Sequence, residues 1–201
     1  MRDYYVYHTA SDNIDWKKIP ELQIDQHNAP LVEPVKAIAQ ICWSEEEIHV
    51  HMSAWEMTIL ARFTGDNDMV CQDSCLEMFI RPDKKDGRYF NIEVNPNGAC
   101  YFGFGYGRDS LIRLQPSDIR SLLSIRTIVQ QDFWEITYAF PVKLIRMFMP
   151  DFSLYEGRAM YANFYKCGDD IHPNHELMWN LITNGNDDFH QPEFFGRLIC
   201  L

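Results

Sequence analysis

Apolar and polar residues alternate with a period of two along most of the chain, which predicts β-strands. In residues 48–56, for example, Ile48, Val50 and Met52 alternate with polar or mixed positions. The same period recurs in residues 75–80, 88–95, 134–140 and 158–166, and more weakly in residues 35–43, 99–104, 125–130 and 197–200. Because successive side chains of a strand point to opposite faces, these segments predict strands with one buried face.

The order of these segments favours an all-β fold. Turn-forming residues separate them, as in Asn95-Pro96-Asn97-Gly98, and helical signals are confined to residues 117–123 and 141–148. Eight or nine short strands are typical of an antiparallel β-sandwich of immunoglobulin-like or jelly-roll type, and a β-barrel stays open as the alternative. No repeat or linker interrupts the pattern, so we expect a single domain over residues 1–201 with one or two short helices.

The composition restricts the class of partner. The chain carries 18 Lys and Arg against 29 Asp and Glu, a formal net charge of −11. No basic stripe is present to displace the counterions of a nucleic acid or to bind an anionic membrane surface. No segment approaches the roughly 20 apolar residues that span a bilayer. The sequence therefore predicts neither a nucleic acid nor a membrane as partner, and it predicts no oligomeric state.

The N-terminal residues lack the apolar region of a secretory signal peptide. A cytoplasmic location is therefore expected if the sequence is full length, and an extracellular one if a leader has been removed. In a chain without a leader, the six cysteines are expected as free thiols rather than as disulfides.

The second faces of several predicted strands are rich in aromatic, amide and carboxyl groups. These positions are Trp55, Glu77, Tyr89, Asn91, Glu93, Asn95, Asn163 and Tyr165. An apolar sugar face stacks on aromatic rings, and its hydroxyl groups form hydrogen bonds with amides and carboxylates. A neutral sugar also requires no basic site, which agrees with the acidic charge. This pattern favours a carbohydrate ligand.

Three ordered stretches carry a family resemblance. They are residues 72–80 (QDSCLEMFI), residues 89–98 (YFNIEVNPNG), and a C-terminal set made of residues 161–166 (YANFYK), Trp179 and residues 189–198 (FHQPEFFGRL). Together they resemble the family 9 carbohydrate-binding modules, particularly their stand-alone, DOMON-like relatives. The resemblance implies an immunoglobulin-like β-sandwich that binds sugar between two aromatic side chains and has no chemistry of its own.

The resemblance also implies site residues. It assigns hydrogen bonding to Glu77, Glu93 and Asn163, and an aromatic contact to Phe189, which follows shortly after Asn186. The family's other aromatic residue is absent before Asp73, so Trp55 or Trp179 would have to replace it, and Tyr165 is expected at the rim. The predicted ligand-binding set is thus Trp55, Glu77, Glu93, Asn163, Tyr165, Trp179, Asn186 and Phe189, with no catalytic residue.

The expected ligand is a mono- or oligosaccharide, such as a fragment of xylan or cellulose, which would link the protein to carbohydrate catabolism. No cofactor is predicted apart from a structural Ca²⁺ ion, which the resemblance suggests without identifying its ligands. Residues 66–68 and 184–188 are oxygen-rich loops that suit such an ion, and an ordinary solvated loop is the alternative at both places.

Two other functions stay open. A DOMON-type domain can bind haem or another small ligand, and His49, His51, Met52 and Met69 offer axial groups without a clear pairing. Alternatively, Glu77 and Glu93 could serve as the two carboxyl groups of a glycoside hydrolase or of its accessory domain. The chain is not expected to be an enzyme, and any activity would be hydrolysis of an O-glycosidic bond.

Overall fold

Nine of the thirteen strands in the described residues lie in segments with the predicted alternation. A computed structural model of the chain describes residues 1–10, 13–185 and 188–201. The strands in these residues are β1 (Asp3–His8), β2 (Leu22–Ile24), β3 (Lys36–Trp43), β4 (Glu47–Trp55), β5 (Cys75–Arg81), β6 (Tyr89–Val94), β7 (Cys100–Gly105), β8 (Ile112–Arg113), β9 (Arg126–Val129), β10 (Phe133–Pro141), β11 (Ala159–Cys167), β12 (Glu176–Met178) and β13 (Gly196–Cys200). Two short helices, α1 (Ile119–Leu122) and α2 (Val142–Arg146), lie within the two segments with helical signals. In the described part of the chain, no helix has the length and apolarity needed to cross a membrane.

The thirteen strands of the described residues form one curled sheet. Its order is β8-β7-β6-β5-β11-β13-β1-β3-β4-β10-β9, with β12 added to β11 and β2 to β3. Strand β1 joins the two halves, because its first residues pair in parallel with β13 and its last two, Tyr7 and His8, pair in parallel with β3. We call the strands from β8 to β13 the first half and the strands from β3 to β9 the second half.

The main hydrophobic core lies between the two halves. The first half contributes Leu76, Met78 and Ile80 of β5, together with the alternate residues of β6 and β11. The second half contributes alternate residues of β4 and β10, such as Val50 and Trp134. The predicted inward faces of these five strands are therefore confirmed, and the burial of one face per strand is what holds the halves together.

The all-β class is confirmed, but the two separate sheets of a sandwich are replaced by one curled sheet with sandwich-like packing. The strand that closes it, β1, was not predicted because tyrosines occupy both of its faces. Tyr4 is buried, whereas Tyr5 and Tyr7 are exposed, so polarity does not alternate along β1. Strands β2, β8 and β12 contain only two or three residues, which is too few to show a period.

The opposite face of the first half is also buried, which corrects its predicted exposure. A second core covers this face, and its residues are Val70, Cys75, Phe79, Tyr89, Ala99, Tyr165, Cys167, Met178, Ile182, Phe189 and Phe195. Several of them come from the chain before β5 and from the chain between β12 and β13. Alternation shows which way a side chain faces, but it does not reveal that a distant segment folds over that face.

Candidate functional site

Four neighbouring strands align side chains in one row across the second face of the first half. Glu77 of β5 lies opposite Glu93 of β6. Tyr165 of β11 lies opposite Glu77, and Tyr101 of β7 lies opposite Glu93. Opposite residues of antiparallel strands have Cβ atoms about 4.5–5.5 Å apart. The two predicted carboxyl groups are thus side by side, and we call these four residues the carboxyl row.

The carboxyl row opens at its β6–β7 end into a pocket of about 190 Å³. The pocket is lined by Met69, Cys71, Asn91, Glu93, Tyr101, Arg108, Leu111, Arg113 and His190. A larger depression of about 410 Å³ lies elsewhere on the surface, but its acidic residues, such as Asp83 and Asp151, are at least partly exposed. The smaller pocket is lined by a buried carboxyl group, Glu93, together with a buried amide, Asn91.

The wall beside β7 depends on two glycines. A Cβ atom at Gly105 would collide with the carbonyl oxygen of Ser110, and one at Gly103 would collide with the side chain of Leu111. Without these side chains, residues 108–111 pack directly on β7 and bring Arg108 and Leu111 to the pocket. The alternation of aromatic residues and glycines in β7 is therefore the sequence signal for this wall, whose residues were not predicted as part of the site.

Both carboxyl groups of the row lie in surroundings that disfavour their charge. Glu77 is 2% exposed and Glu93 is 7% exposed. Burial raises the pKa of Glu93 to about 7, although the hydrogen bond from Asn91 and the charge of Arg108 oppose the rise. Burial and the neighbouring Glu93 also raise the pKa of Glu77 well above its usual value. Near neutral pH the pair therefore retains a proton, so that it can both donate and accept hydrogen bonds.

Asn91, a fully buried residue of the pocket lining, has an unused acceptor. Its Nδ2 donates to Glu93 Oε1 at 2.9 Å. Its Oδ1 is buried and has no hydrogen-bond partner among the described residues. A buried polar atom without a partner costs about 1–3 kcal/mol. Because Asn91 lines the pocket, a donor group on a ligand would remove this cost.

Charged and aromatic groups form the rim of the pocket. Arg108 bonds Asp188 Oδ1 through Nε at 3.0 Å and Nη2 at 2.8 Å. The guanidinium carbon of Arg113 lies 5.2 Å from the ring centroid of Tyr101. Burial and the charge of Arg108 lower the pKa of His190 to about 4, so its ring is neutral beside the hydroxyl of Tyr89. Both arginines are rim residues that the sequence did not predict.

Three predicted residues attach the C-terminal segment to β11. The ring of Phe189 stacks on Tyr165 with centroids 4.1 Å apart and 9° between the planes, and Phe189 is 8% exposed. Tyr165 Oη donates to the carbonyl oxygen of Phe189 at 3.0 Å. Asn163 bonds the backbone N–H and carbonyl of Asn180, at 2.8 and 2.9 Å. These three residues share the face of the carboxyl row, but none of them lines the pocket.

The structure places the two predicted tryptophans away from the carboxyl row. Trp179 is buried in the main core, edge-on to Phe164 with centroids 5.9 Å apart. Trp55 ends β4 in the second half, where its ring lies 5.0 Å from the ring of Phe133. The remaining predicted residue, Asn186, lies outside the described residues.

Two motif residues, Asp73 and Asn95, lie outside the pocket lining and hold the segment that leads to it. Asp73 Oδ2 accepts hydrogen bonds from the backbone N–H groups of Arg62 and Phe63, at 2.7 and 2.9 Å, and from Asn95 Nδ2 at 3.0 Å. Asn95 also donates to the carbonyl oxygen of Phe63. The Asp-Ser motif and the β6–β7 turn are therefore joined through the segment that leads to the pocket residues Met69 and Cys71.

The structure describes the first predicted calcium loop, residues 66–68, in full. Asp66 Oδ2 accepts from the N–H of Ile119, and Asp68 Oδ2 accepts from the N–H of Gly65, so one oxygen of each already serves the backbone. In the second loop, residues 186 and 187 lie outside the described residues. Calcium binding therefore stays a prediction. Haem binding also stays a prediction. Both ring nitrogens of His51, one of its candidate axial groups, already contact Gln40 and Glu135.

The comparisons with known proteins give one family model and several similar solved structures. The model of the carbohydrate-binding family 9 matches residues 8–200. A solved structure from Bacteroides uniformis ATCC 8492, to which carbohydrate binding has been ascribed, is 25% identical, with a TM-score of 0.87 over 100% of this chain and 99% of that one. Among the curated proteins, no sequence matches this chain.

Two further similar structures are of a family 9 carbohydrate-binding module from Caldicellulosiruptor kristjanssonii. The complex with glucose is 13% identical, with a TM-score of 0.70 over 100% of this chain and 96% of that one. The complex with cellotriose is also 13% identical, with a TM-score of 0.71 over 99% and 93% of the two chains. At this identity the likeness establishes the shared fold.

Proposed function

Because the chain belongs to carbohydrate-binding family 9, we propose that the pocket beside β6 and β7 binds a mono- or oligosaccharide and leaves it chemically unchanged. The observation that carries the proposal is the unpartnered Oδ1 of Asn91 next to the buried Glu77–Glu93 pair. A sugar hydroxyl is both a donor and an acceptor. It can therefore donate a hydrogen bond to Asn91 Oδ1 while it accepts one from the protonated carboxyl pair.

The walls of the pocket suit the rest of a sugar ring. Tyr101, Leu111 and Met69 offer apolar surface to the C–H face of a pyranose. The similar structures that contain glucose and cellotriose support a ligand built from glucose or a related pentose. We therefore propose fragments of cellulose or xylan as the ligand and a role in carbohydrate catabolism.

The geometry of the carboxyl row argues for binding rather than hydrolysis. A glycosidase places its two carboxyl groups on either side of the scissile bond, with room for the substrate between them. Glu77 and Glu93 are direct cross-strand neighbours on one sheet face. Of the two, only Glu93 lines the pocket, which favours hydrogen bonding to a ligand hydroxyl over paired attack on a glycosidic bond.

Isothermal titration calorimetry with glucose, cellotriose and xylo-oligosaccharides tests the proposal. We expect wild-type protein to bind at least one of them and the Glu93→Ala variant to lose this binding. Trp55→Ala is the matched control, because Trp55 lies in the other half of the sheet and its loss should leave the affinity unchanged. Equal affinity of Glu93→Ala and wild type, or a loss confined to Trp55→Ala, would contradict the proposed pocket.

A further inference from the structure

Two thiols converge on Glu77, one of the four residues of the carboxyl row. Cys75 of β5 and Cys167 of β11 lie directly opposite each other, and Glu77 follows two residues later on the same face. The ligand atoms of the three side chains all lie within 4.8 Å of one another. In the described part of the chain, this is the one group of three or more His, Cys, Asp or Glu side chains placed to hold an ion.

The convergence is unusual for residues that only fill space. All three side chains are almost completely buried, and both cysteines are free thiols. Cys167 Sγ donates to Glu77 Oε1 at 2.9 Å, so the sulfur already points at the carboxyl oxygen. Apolar residues would fill the same space without the cost of burying a carboxyl group. A bound cation would turn the three groups into mutually compatible ligands.

We propose that Cys75, Cys167 and Glu77 form a binding site for a thiophilic divalent cation, for which Zn²⁺ is the test ion. Two sulfur ligands and one carboxylate oxygen suit Zn²⁺ and its soft relatives, whereas Ca²⁺ and Mg²⁺ require oxygen ligands. Three protein ligands leave one position of a tetrahedral ion for a water molecule or another donor. The site shares Glu77 with the carboxyl pair of the proposed sugar pocket, so its tests are made without sugar.

The structure also supplies a route for the ion. The carbonyl oxygen of Cys71 lies 3.7 Å from Cys167 Sγ, and the half-buried side chain of Cys71 lines the pocket. Cys71 therefore lies between the buried cluster and solvent. Cys71 thus contacts both the cluster and the pocket, and we infer that an ion would enter past this residue.

Cobalt titration of reduced, chelator-treated protein tests the site, because Co²⁺ bound by thiolates absorbs strongly in the near ultraviolet. We expect one Co²⁺ per chain with this absorption, its displacement by Zn²⁺, and no displacement by Ca²⁺. Cys75→Ala and Cys167→Ala should lose the absorption. Cys200→Ala, which removes a buried thiol from the main core, should keep it. Absent absorption in wild type, or absorption that survives in both site variants, would overturn the proposal.

A measurement on wild-type protein alone guards against variants that fail to fold. X-ray absorption at the zinc edge of the protein loaded with one equivalent of Zn²⁺ counts the sulfur neighbours of the ion. Two sulfur neighbours per zinc support the site. A shell of nitrogen and oxygen only would refute it.

Discussion

The unused acceptor of Asn91 makes a specific prediction about sugar affinity. In Asn91→Ala, the ligand hydroxyl that would donate to Oδ1 loses its acceptor. A typical hydrogen bond contributes about 0.5–1.5 kcal/mol. At about 1.4 kcal/mol per tenfold change in affinity, the dissociation constant should rise about 2- to 12-fold.

The stability of Asn91→Ala should change little. The substitution removes the donor to Glu93 Oε1, which costs on the order of 1 kcal/mol, but it also removes a buried unpartnered oxygen whose burial costs a similar amount. The two effects nearly cancel. We therefore expect a free energy of unfolding within about 1 kcal/mol of wild type.

Asn163→Ala is the matched control, because Asn163 is a buried amide on the same sheet face. Both ends of its amide bond the backbone of Asn180, so its loss leaves two buried backbone groups unpaired and should cost on the order of 2–4 kcal/mol of stability. Calorimetry with the sugar that wild type binds, and urea unfolding of all three proteins, separate the two effects. Sugar binding by Asn91→Ala as tight as that of wild type would refute a role for Oδ1. So would an Asn163→Ala variant that is as stable as wild type but binds sugar more weakly than Asn91→Ala.

Three further predictions concern the buried interior. The free energy of unfolding of Phe189→Ala, measured in urea, should fall by about 3–5 kcal/mol, because the ring stacked on Tyr165 is buried. A loss below about 1 kcal/mol would show that the ring is dispensable for folding. Lys166→Met should cost about 3–5 kcal/mol by the same measurement, because it leaves Glu56, 2.9 Å away and 1% exposed, without its cation; unchanged stability would contradict this. Burial opposes the charge of Glu56, but the bonds from His175, Lys166 and Trp134 outweigh it and lower its pKa below 4.5. A carboxyl group whose pKa is lower in the folded protein stabilises the fold at pH values above its unfolded-state pKa, and this contribution is lost as the pH falls through its folded-state pKa. The free energy of unfolding of Glu56→Gln, measured over a series of decreasing pH, should therefore fall less steeply than that of wild type. An equal fall in both proteins would contradict this prediction.

The sheet face to which each site residue points could be predicted from sequence, because alternation along a strand determines it. Glu77 and Glu93 occupy the second faces of β5 and β6, and the structure places them opposite each other. Asn163 and Tyr165 face the same side of the sheet. The pairing of β5 with both β6 and β11 then assembles the row, which alternation within single strands does not reveal.

The pocket walls could not be predicted, because they depend on where loops fold. Arg108 reaches the pocket only because the chain after β7 packs on Gly103 and Gly105. Phe189 fits the family motif for an aromatic contact, yet its ring turns towards Tyr165. A motif identifies a segment, but the rotamer and the packing of its ring depend on neighbours that are distant in sequence.

In the proposed sugar pocket, the absence of a ring before Asp73 limits the contribution of stacking. Among the described residues that line it, Tyr101 and His190 carry the only rings, and Arg113 already lies against Tyr101. An aromatic contact contributes about 0.5–1.5 kcal/mol beyond the area it buries, so the loss of one flanking ring reduces the affinity that stacking supplies. Hydrogen bonds to Asn91 and the carboxyl pair must then carry a larger share. Because a buried group left unpaired is costly, a site of this kind discriminates strongly against sugars that lack the matching hydroxyl, even when its overall affinity is modest.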